Sequence, residues 1–369
     1  MSQNQVKRLL LVGPLPDPIS GVSLANKVVK TILEEDPCFK VSSLNTSFPL
    51  LDENLGTFSF RKFFFFVKLN LKCLRIIPHD IIYMTPGQTY LGILKYAPYI
   101  FIGWLLRKEM IIHVHGNYLG QQYHELTGLK KHLFFFFVSR FTKGIVLSES
   151  LAHNLLPFLN KDVIYSLPNF AETYLLTSSK KDFNSLNLVY LSNLMEEKGI
   201  HVFLEALKLL EAHQIPYTAK IAGAIDPTHK NRLLTRINAL VNTEYVGIVT
   251  GDDKKNLLFW STIFVLPTFY KMEGQPIAIL EALATRNVII TTDHAGISDI
   301  ISNKEHGYFI RKQNVTDLFQ KLSELNADIA TIERIAENNG RYFKNNFSFD
   351  IFKTNFLKIL NAKHGPKPQ

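Results

Sequence analysis

Glu273 and Glu281 stand eight positions apart in Glu273-Gly274-Gln275-Pro276-Ile277-Ala278-Ile279-Leu280-Glu281. The first precedes a Gly-Gln-Pro turn; the second lies in an apolar run ending Ala282-Leu283-Ala284. Pro276 suits a helix's first turn, where its missing N–H is no loss, so the pattern predicts a helix starting near Gln275. Glu273 then occupies the loop before it, beside free backbone N–H groups along Gly274, Gln275 and Ile277 that favour an anion such as a phosphate. Eight residues at 1.5 Å each put Glu281 roughly 12 Å further along, about the span from a sugar ring across a diphosphate to a ribose. A carboxylate accepts hydrogen bonds from hydroxyls, so one glutamate could hold each sugar. A surface helix with one exposed glutamate explains the same two residues, and the rest of the chain has to decide.

Other residues offer matching chemistry. Lys198-Gly199 follow the apolar run Leu188–Leu191, where a strand-end cation can grip an anion; an isolated Lys-Gly is otherwise a solvated pair. The run Arg8–Val12 enters Gly13-Pro14-Leu15-Pro16-Asp17-Pro18-Ile19-Ser20-Gly21, which is no G-x-G-x-x-G fingerprint. Gly21 falls where the next helix begins and lets a ligand approach backbone N–H groups, although a glycine that merely permits a turn looks the same. His113 and His115 alternate onto one side of a strand whose end Gly116 marks. His115, abutting the glycine, is the better candidate, and His113 reads as a core histidine. No nearby Cys or Asp completes a histidine metal site.

The elements that position these residues alternate between short apolar strands and longer helical patterns, the mark of parallel sheets covered on both faces. Strands are expected at 8–12, 40–45, 81–84, 110–114, 144–147 and 163–165, then at 188–191, 219–222, 245–246, 263–266 and 288–290. Helices are expected near 22–35, 58–77, 90–107, 123–141, 150–159, 200–211, 227–241, 254–260, 275–284, 296–301, 315–343 and 349–360. The polar stretch from Asn169 to Asn187 breaks the series. The 369 residues and 46% apolar content suit two domains, divided as 1–168, 169–346 and a final helix within 347–369. Both are expected to be Rossmann-like and to face each other across a cleft, with ligands outside the strands' carboxyl ends.

Composition bounds the partners. Cys38 and Cys73 give neither a disulfide framework nor a metal spacing, and suit a reducing compartment. Leu9–Val12 is too short for a signal-peptide core, and no run of eighteen apolar residues suggests a span, so a cytoplasmic protein is expected. The formal charge of +9 is concentrated in residues 1–170, with 18 Lys/Arg against 11 Asp/Glu. That points to an acidic partner such as anionic lipid or a phosphorylated lipid acceptor. Nucleic acid is not expected, since no zinc-finger or RNA-recognition pattern accompanies the charge.

The two glutamates resemble the E-x7-E signature of retaining glycosyltransferases of the GT-B fold, specifically family 4. The resemblance extends over essentially the whole chain and is strongest over 188–301. It implies that Glu273 positions the donor sugar, Glu281 the ribose, His115 the transferred sugar and Gly21 the diphosphate. The family's basic residue, four intervening residues and Lys-Gly match at Lys198-Gly199, but Asn193 stands where arginine is usual. Tyr245-Val246-Gly247, with Pro267 further on, resembles the nucleobase-binding stretch, which implies backbone contacts from Val246 and Gly247. His294-Ala295-Gly296-Ile297-Ser298-Asp299 resembles a Gly-Gly-x-x-Glu turn with one glycine lost. Asp252-Asp253 falls in a predicted loop rather than an Asp-x-Asp pair, so no metal and no other cofactor is expected.

The implied reaction transfers sugar from a nucleoside diphosphate to a hydroxyl of a growing, lipid-linked glycan, with retention. A sugar-nucleotide-binding pseudoenzyme and an epimerase of the same fold are the alternatives. Finally, Arg61, Lys68, Lys72 and Arg75 share one side of the expected helix 58–77, opposite Phe63–Phe66, Leu69, Cys73 and Leu74, and a second cluster runs from Leu133 to Val138. Such helices lie in a membrane interface or in a core.

Overall fold

The computed structural model describes residues 6–17, 20–48, 60–176 and 181–362, and the side chains of 60–63 and 66 lie outside that description. Of the expected features, Pro18 and Ile19 of the first loop, the start of helix 58–77, and part of the 169–187 stretch also lie outside it. Two six-stranded parallel sheets organise the chain. The first takes the order β2-β1-β3-β4-β5-β6, built from β1 (Lys7–Gly13), β2 (Phe39–Asn45), β3 (Ile81–Met84), β4 (Glu109–Val114), β5 (Lys143–Val146) and β6 (Ile164–Ser166). The second takes the order β12-β11-β10-β7-β8-β9, from β7 (Asn187–Leu191), β8 (Thr218–Ala222), β9 (Thr243–Gly247), β10 (Ile263–Leu266), β11 (Val288–Thr292) and β12 (Gly307–Ile310). Two compact units follow, Met1–Leu167 with Asn355–Gln369, and Pro168–Thr354. The division falls inside the last helix, Phe349–Asn361, rather than before it.

Continuous apolar runs form these strands because helices cover both faces of a parallel sheet. Leu9–Val12 and Ile263–Leu266 are buried along their whole length, each such side chain contributing about 1.5–3 kcal/mol. Helix Gly21–Glu35 starts at a capping box in which Ser20 and Ser23 satisfy each other's backbone N–H.

Several elements differ from expectation. The stretch 90–107 breaks into helices Tyr90–Leu94 and Ala97–Leu105, with Pro98 in the first turn of the second, where the N–H it lacks would have carried the hydrogen-bond ladder through from Leu94. It is only half buried, since Leu91, Phe101, Trp104 and Leu105 are exposed. The stretch 123–141 divides into Leu119–Glu125 and Gly128–Val138. Residues 149–154 and 295–297 form only 3-10 turns. Helix 275–284 starts at Ile277, because Pro276 itself takes extended geometry as N-cap. Asp252 and Asp253 lie in the first turn of helix Gly251–Trp260, where carboxylates favour the positive end of the dipole, and not in a loop.

Candidate functional site

In the second unit β7 and β10 are neighbours, and the chain proceeds to β8 on one flank and to β11 on the other. Loops diverge at such a switch point and leave a crevice at the strands' carboxyl ends. Lys198 follows β7 and Glu273 follows β10. Lys198 Nζ donates to Glu273 Oε2 at 2.6 Å, and Thr268 Oγ1 donates to the same oxygen at 3.2 Å. The ammonium also sits 5.0 Å from the Tyr270 ring centroid. Glu273 is 7% exposed, and a carboxylate so buried requires a partner of this kind. Gly199 makes the geometry possible: its φ is +83°, and an added Cβ would stand 2.3 Å from the Pro267 carbonyl oxygen. Phe269 N–H donates to the Glu197 carbonyl at 2.7 Å, tying the two loops together.

The rest of the Glu273 loop is fixed by neighbours. Asn169 donates from its N–H to Gln275 Oε1 (3.1 Å) and from Nδ2 to the Gln275 carbonyl (2.9 Å). Asn169 Oδ1 and Gln275 Nε2 are buried and find no protein partner, which leaves one acceptor and one donor for a ligand or water. The Gly274 carbonyl accepts from Gly296 N–H at 3.1 Å, which brings the turn at 294–299 onto this loop. Pro276 is buried, and no side chain caps the helix that opens at Ile277. Glu281 is occupied: its Oε1 pairs with Lys254 Nζ, and both groups are largely buried. Burial pushes the Glu281 carboxyl up, against the opposing pull of Lys254.

The remaining second-unit candidates sit at the same end of the sheet with less support. Asn193 is exposed beyond β7, held through its carbonyl by Met195 N–H. Val246 and Gly247 close β9 at the sheet edge; Gly247 takes φ +81° and accepts from Gly223 N–H at 2.8 Å.

In the first unit Gly21 opens its helix and is exposed. His113 projects from β4 and His115 follows its last residue, with ring centroids 3.9 Å apart. Burial, and then the charge of His115, hold His113 well below the usual histidine range, and burial brings His115 down to about 4. Tyr83 stays protonated, since burial pushes its hydroxyl far up, and it shares a hydrogen bond of 2.5 Å with His113 Nδ1. Both Nε2 atoms are buried without a protein partner.

A pH dependence follows. Unfolded histidines titrate near 6.5, so below that value the unfolded chain binds protons that these two imidazoles refuse. Their contribution to stability is complete above pH 6.5 and is lost as pH falls toward 4. Urea unfolding followed at pH 7 and pH 5 is expected to show a loss on the order of 1–2 kcal/mol per histidine. The His115→Asn variant should flatten that slope; an unaltered slope would refute the assignment.

Among the described residues, no three or more His, Cys, Asp or Glu gather as metal ligands, and no helix is long and apolar enough to cross a membrane. Sequence reading missed Lys254, Thr268, Tyr270 and Asn169 as site residues. Lys254 lies 27 positions from Glu281 with no motif around it, and Asn169 reads as the start of a linker.

This arrangement is that of the GT-B glycosyltransferase fold. Residues 177–341 match the family model described as glycosyl transferases group 1. The chain is 28% identical over 158 residues to the proposed colanic acid biosynthesis glycosyltransferase WcaL of Salmonella typhimurium, a match covering 41% of this chain and 38% of that protein. It is also 28% identical over 185 residues to the N,N'-diacetylbacillosaminyl-diphospho-undecaprenol alpha-1,3-N-acetylgalactosaminyltransferase of Campylobacter jejuni, over 48% of this chain and 47% of that one. The chain thus spans less than half the length of these two relatives. HepE of Anabaena, solved in complex with UDP and glucose, shares the fold at a TM-score of 0.72 and 13% identity, over 97% of this chain and 100% of that one.

Proposed function

We propose that this chain is a retaining, metal-independent glycosyltransferase of family 4 that moves a sugar from a nucleoside diphosphate to a hydroxyl of a lipid-linked cell-surface glycan at a membrane surface. The observation that carries the reading is the Lys198–Glu273 pair at the switch point of the second sheet. A cation and a carboxylate able to accept from sugar hydroxyls are held 2.6 Å apart, where a diphosphate and its sugar would meet. Lys198 and the uncapped helix start at Gly274–Ile277 take the diphosphate, Glu273 the sugar hydroxyls, and Val246 and Gly247 the base through backbone groups. Glu281 keeps one oxygen on Lys254 and offers the other to a ribose. Within the same reading Gly21 and His115 act on the donor's diphosphate and sugar.

In the transfer, the bond from the anomeric carbon to the phosphate oxygen breaks while the acceptor oxygen bonds to the same face of that carbon. The acceptor's proton passes to the departing phosphate oxygen. Lys198 stabilises the charge that develops on that leaving group. Asn193, exposed and uncharged where arginine is usual, favours a second reading, a sugar-nucleotide-binding protein without turnover.

Titration calorimetry against UDP, GDP and ADP, followed by a donor-hydrolysis assay over a panel of nucleotide sugars, tests both. The expected result is micromolar to millimolar binding of one diphosphate, with slow hydrolysis of its sugar that Glu273→Ala abolishes. Binding without turnover, unaffected by Glu273→Ala, would leave the second reading standing. No binding of any diphosphate would sink both.

A further inference from the structure

We infer that the first unit carries a docking face for an anionic lipid surface, formed by residues 64–77 and the helices Tyr90–Leu94, Ala97–Leu105 and Gly128–Val138. The inference deepens the lipid-linked acceptor and rests on that reading for its purpose; the face itself is read from exposure and charge. Among the described residues, thirteen of the eighteen large apolar side chains left exposed lie between Phe64 and Phe135, which places them on these elements and not evenly over the molecule. Leu71 is 76% exposed, Leu74 62%, Leu105 64% and Leu129 73%. Folded proteins scatter single leucines on their surfaces, but such a concentration marks an interaction site.

The elements adjoin. Helix Phe60–Asn70 continues into the 3-10 turn Leu71–Ile76, which packs on helix Ala97–Leu105; Tyr99 Oη donates to the Leu69 carbonyl at 2.5 Å. Helices Tyr90–Leu94 and Ala97–Leu105 both pack on Gly128–Val138. Leu69, Ile76 and Phe134 turn inward and hold the elements in place, so the exposed side chains are not an unfolded remainder of the core. The stretch read as lying either in a membrane interface or in a core divides its apolar face: Leu69 goes inward, while Val67 and Leu74 remain outside beside exposed Lys68, Lys72 and Arg75.

Charge selects the partner. Between Phe60 and Lys108 there are eight lysines and arginines and the single carboxylate Asp80. Arg140 lies 4.9 Å from the Trp104 ring centroid and 4.5 Å from that of Phe136, so an aromatic edge and a cation stand together, as at a headgroup boundary. A second copy meeting this face symmetrically would set cations against cations. An anionic bilayer takes up both components, the apolar side chains at the acyl boundary and the cations among phosphates.

Flotation of the full chain with vesicles of phosphatidylglycerol or of phosphatidylcholine tests this. The bound fraction is expected to be roughly tenfold higher on the anionic vesicles at low salt and to fall steeply at high salt. The double variants Leu71→Glu/Leu74→Glu and Trp104→Ser/Leu105→Glu should each lose about tenfold, with thermal midpoint and nucleoside-diphosphate affinity as in the parent. Equal binding to neutral vesicles, or binding untouched by both double variants, would overturn the inference. So would light scattering that shows a dimer in the parent and a monomer in the variants. Diphosphate affinity is read separately, so loss of the donor reading and loss of this face are distinguishable.

Discussion

Lys198→Ala is expected to lower kcat/KM for the nucleotide-sugar donor by roughly a thousandfold, the usual consequence of removing a charge aimed at a developing oxyanion. The effect should exceed that of any other single cation in the second unit, because Asn193 supplies no second charge at the position where arginine is usual. Lys198 also neutralises Glu273, which is 7% exposed and otherwise accepts, among the described residues, only from the neutral Thr268 hydroxyl. The variant is therefore expected to lose about 1–3 kcal/mol of stability as well. Two controls separate the effects. Lys198→Arg keeps the charge and should recover most of the stability but only part of the rate, since a planar guanidinium does not reproduce a point ammonium over Tyr270. The double variant Lys198→Met/Glu273→Gln removes both charges and should regain stability without activity. Steady-state kinetics beside urea unfolding reads all four proteins. A Lys198→Ala enzyme within tenfold of the parent in kcat/KM would remove this lysine from the mechanism.

Much of the scaffold was legible because parallel strands carry their own signature. Leu9–Val12, Ile81–Met84 and Ile263–Leu266 are short, wholly apolar and bounded by breakers, and no alternative pattern competes. Strand β12 was missed for the opposite reason. Gly307-Tyr308-Phe309-Ile310 pairs on one side only, its middle residues are half exposed, and it opens with a glycine that reads as a turn. That glycine is required by packing: an added Cβ would stand 1.9 Å from the Ile289 carbonyl oxygen. At the candidate site, Glu273 and Lys198 come together because each follows one of the neighbouring strands β10 and β7, so chain position and sheet order coincide. Lys254 could not be found that way. Its partnership with Glu281 depends on how helix Gly251–Trp260 packs, which local periodicity does not encode. The basic stretch 61–75 was legible as amphipathic but not as to which apolar residues face outward, since its turn from α to 3-10 geometry at Leu71 changes the angular step.

Lys143→Met is expected to be the most damaging single substitution in the first unit, at about 3–5 kcal/mol. Lys143 is the first residue of β5 and is 1% exposed. Its ammonium donates to the carbonyls of Ile359 (3.2 Å), Leu360 (3.2 Å) and Ala362 (2.7 Å), the last turn of helix Phe349–Asn361 and the residue after it. Glu109 Oε1 stands 2.9 Å away as the countercharge. The carbonyls at a helix C-terminus have no partners within the helix and carry the negative end of its dipole, so one buried cation answers three acceptors and a carboxylate together. Methionine fills similar volume but withdraws the ammonium from all four groups in a place where little water reaches, and Ile359 keeps only the Ala362 N–H at 3.3 Å. Glu109→Gln should cost less, about 1 kcal/mol, because the carbonyls keep the ammonium. Joined in one chain, the two substitutions are expected to cost less than their sum, since the uncompensated carboxylate disappears with its cation. Hydrogen exchange along residues 355–361 supplies the local reading: protection there should fall in Lys143→Met before it falls along β7 or β10. If unfolding of Lys143→Met stayed within 1 kcal/mol of the parent (the scale of about one hydrogen bond) and the helix kept its protection, the last turn would owe its order to the packing of Phe356 and Leu360 and not to this lysine.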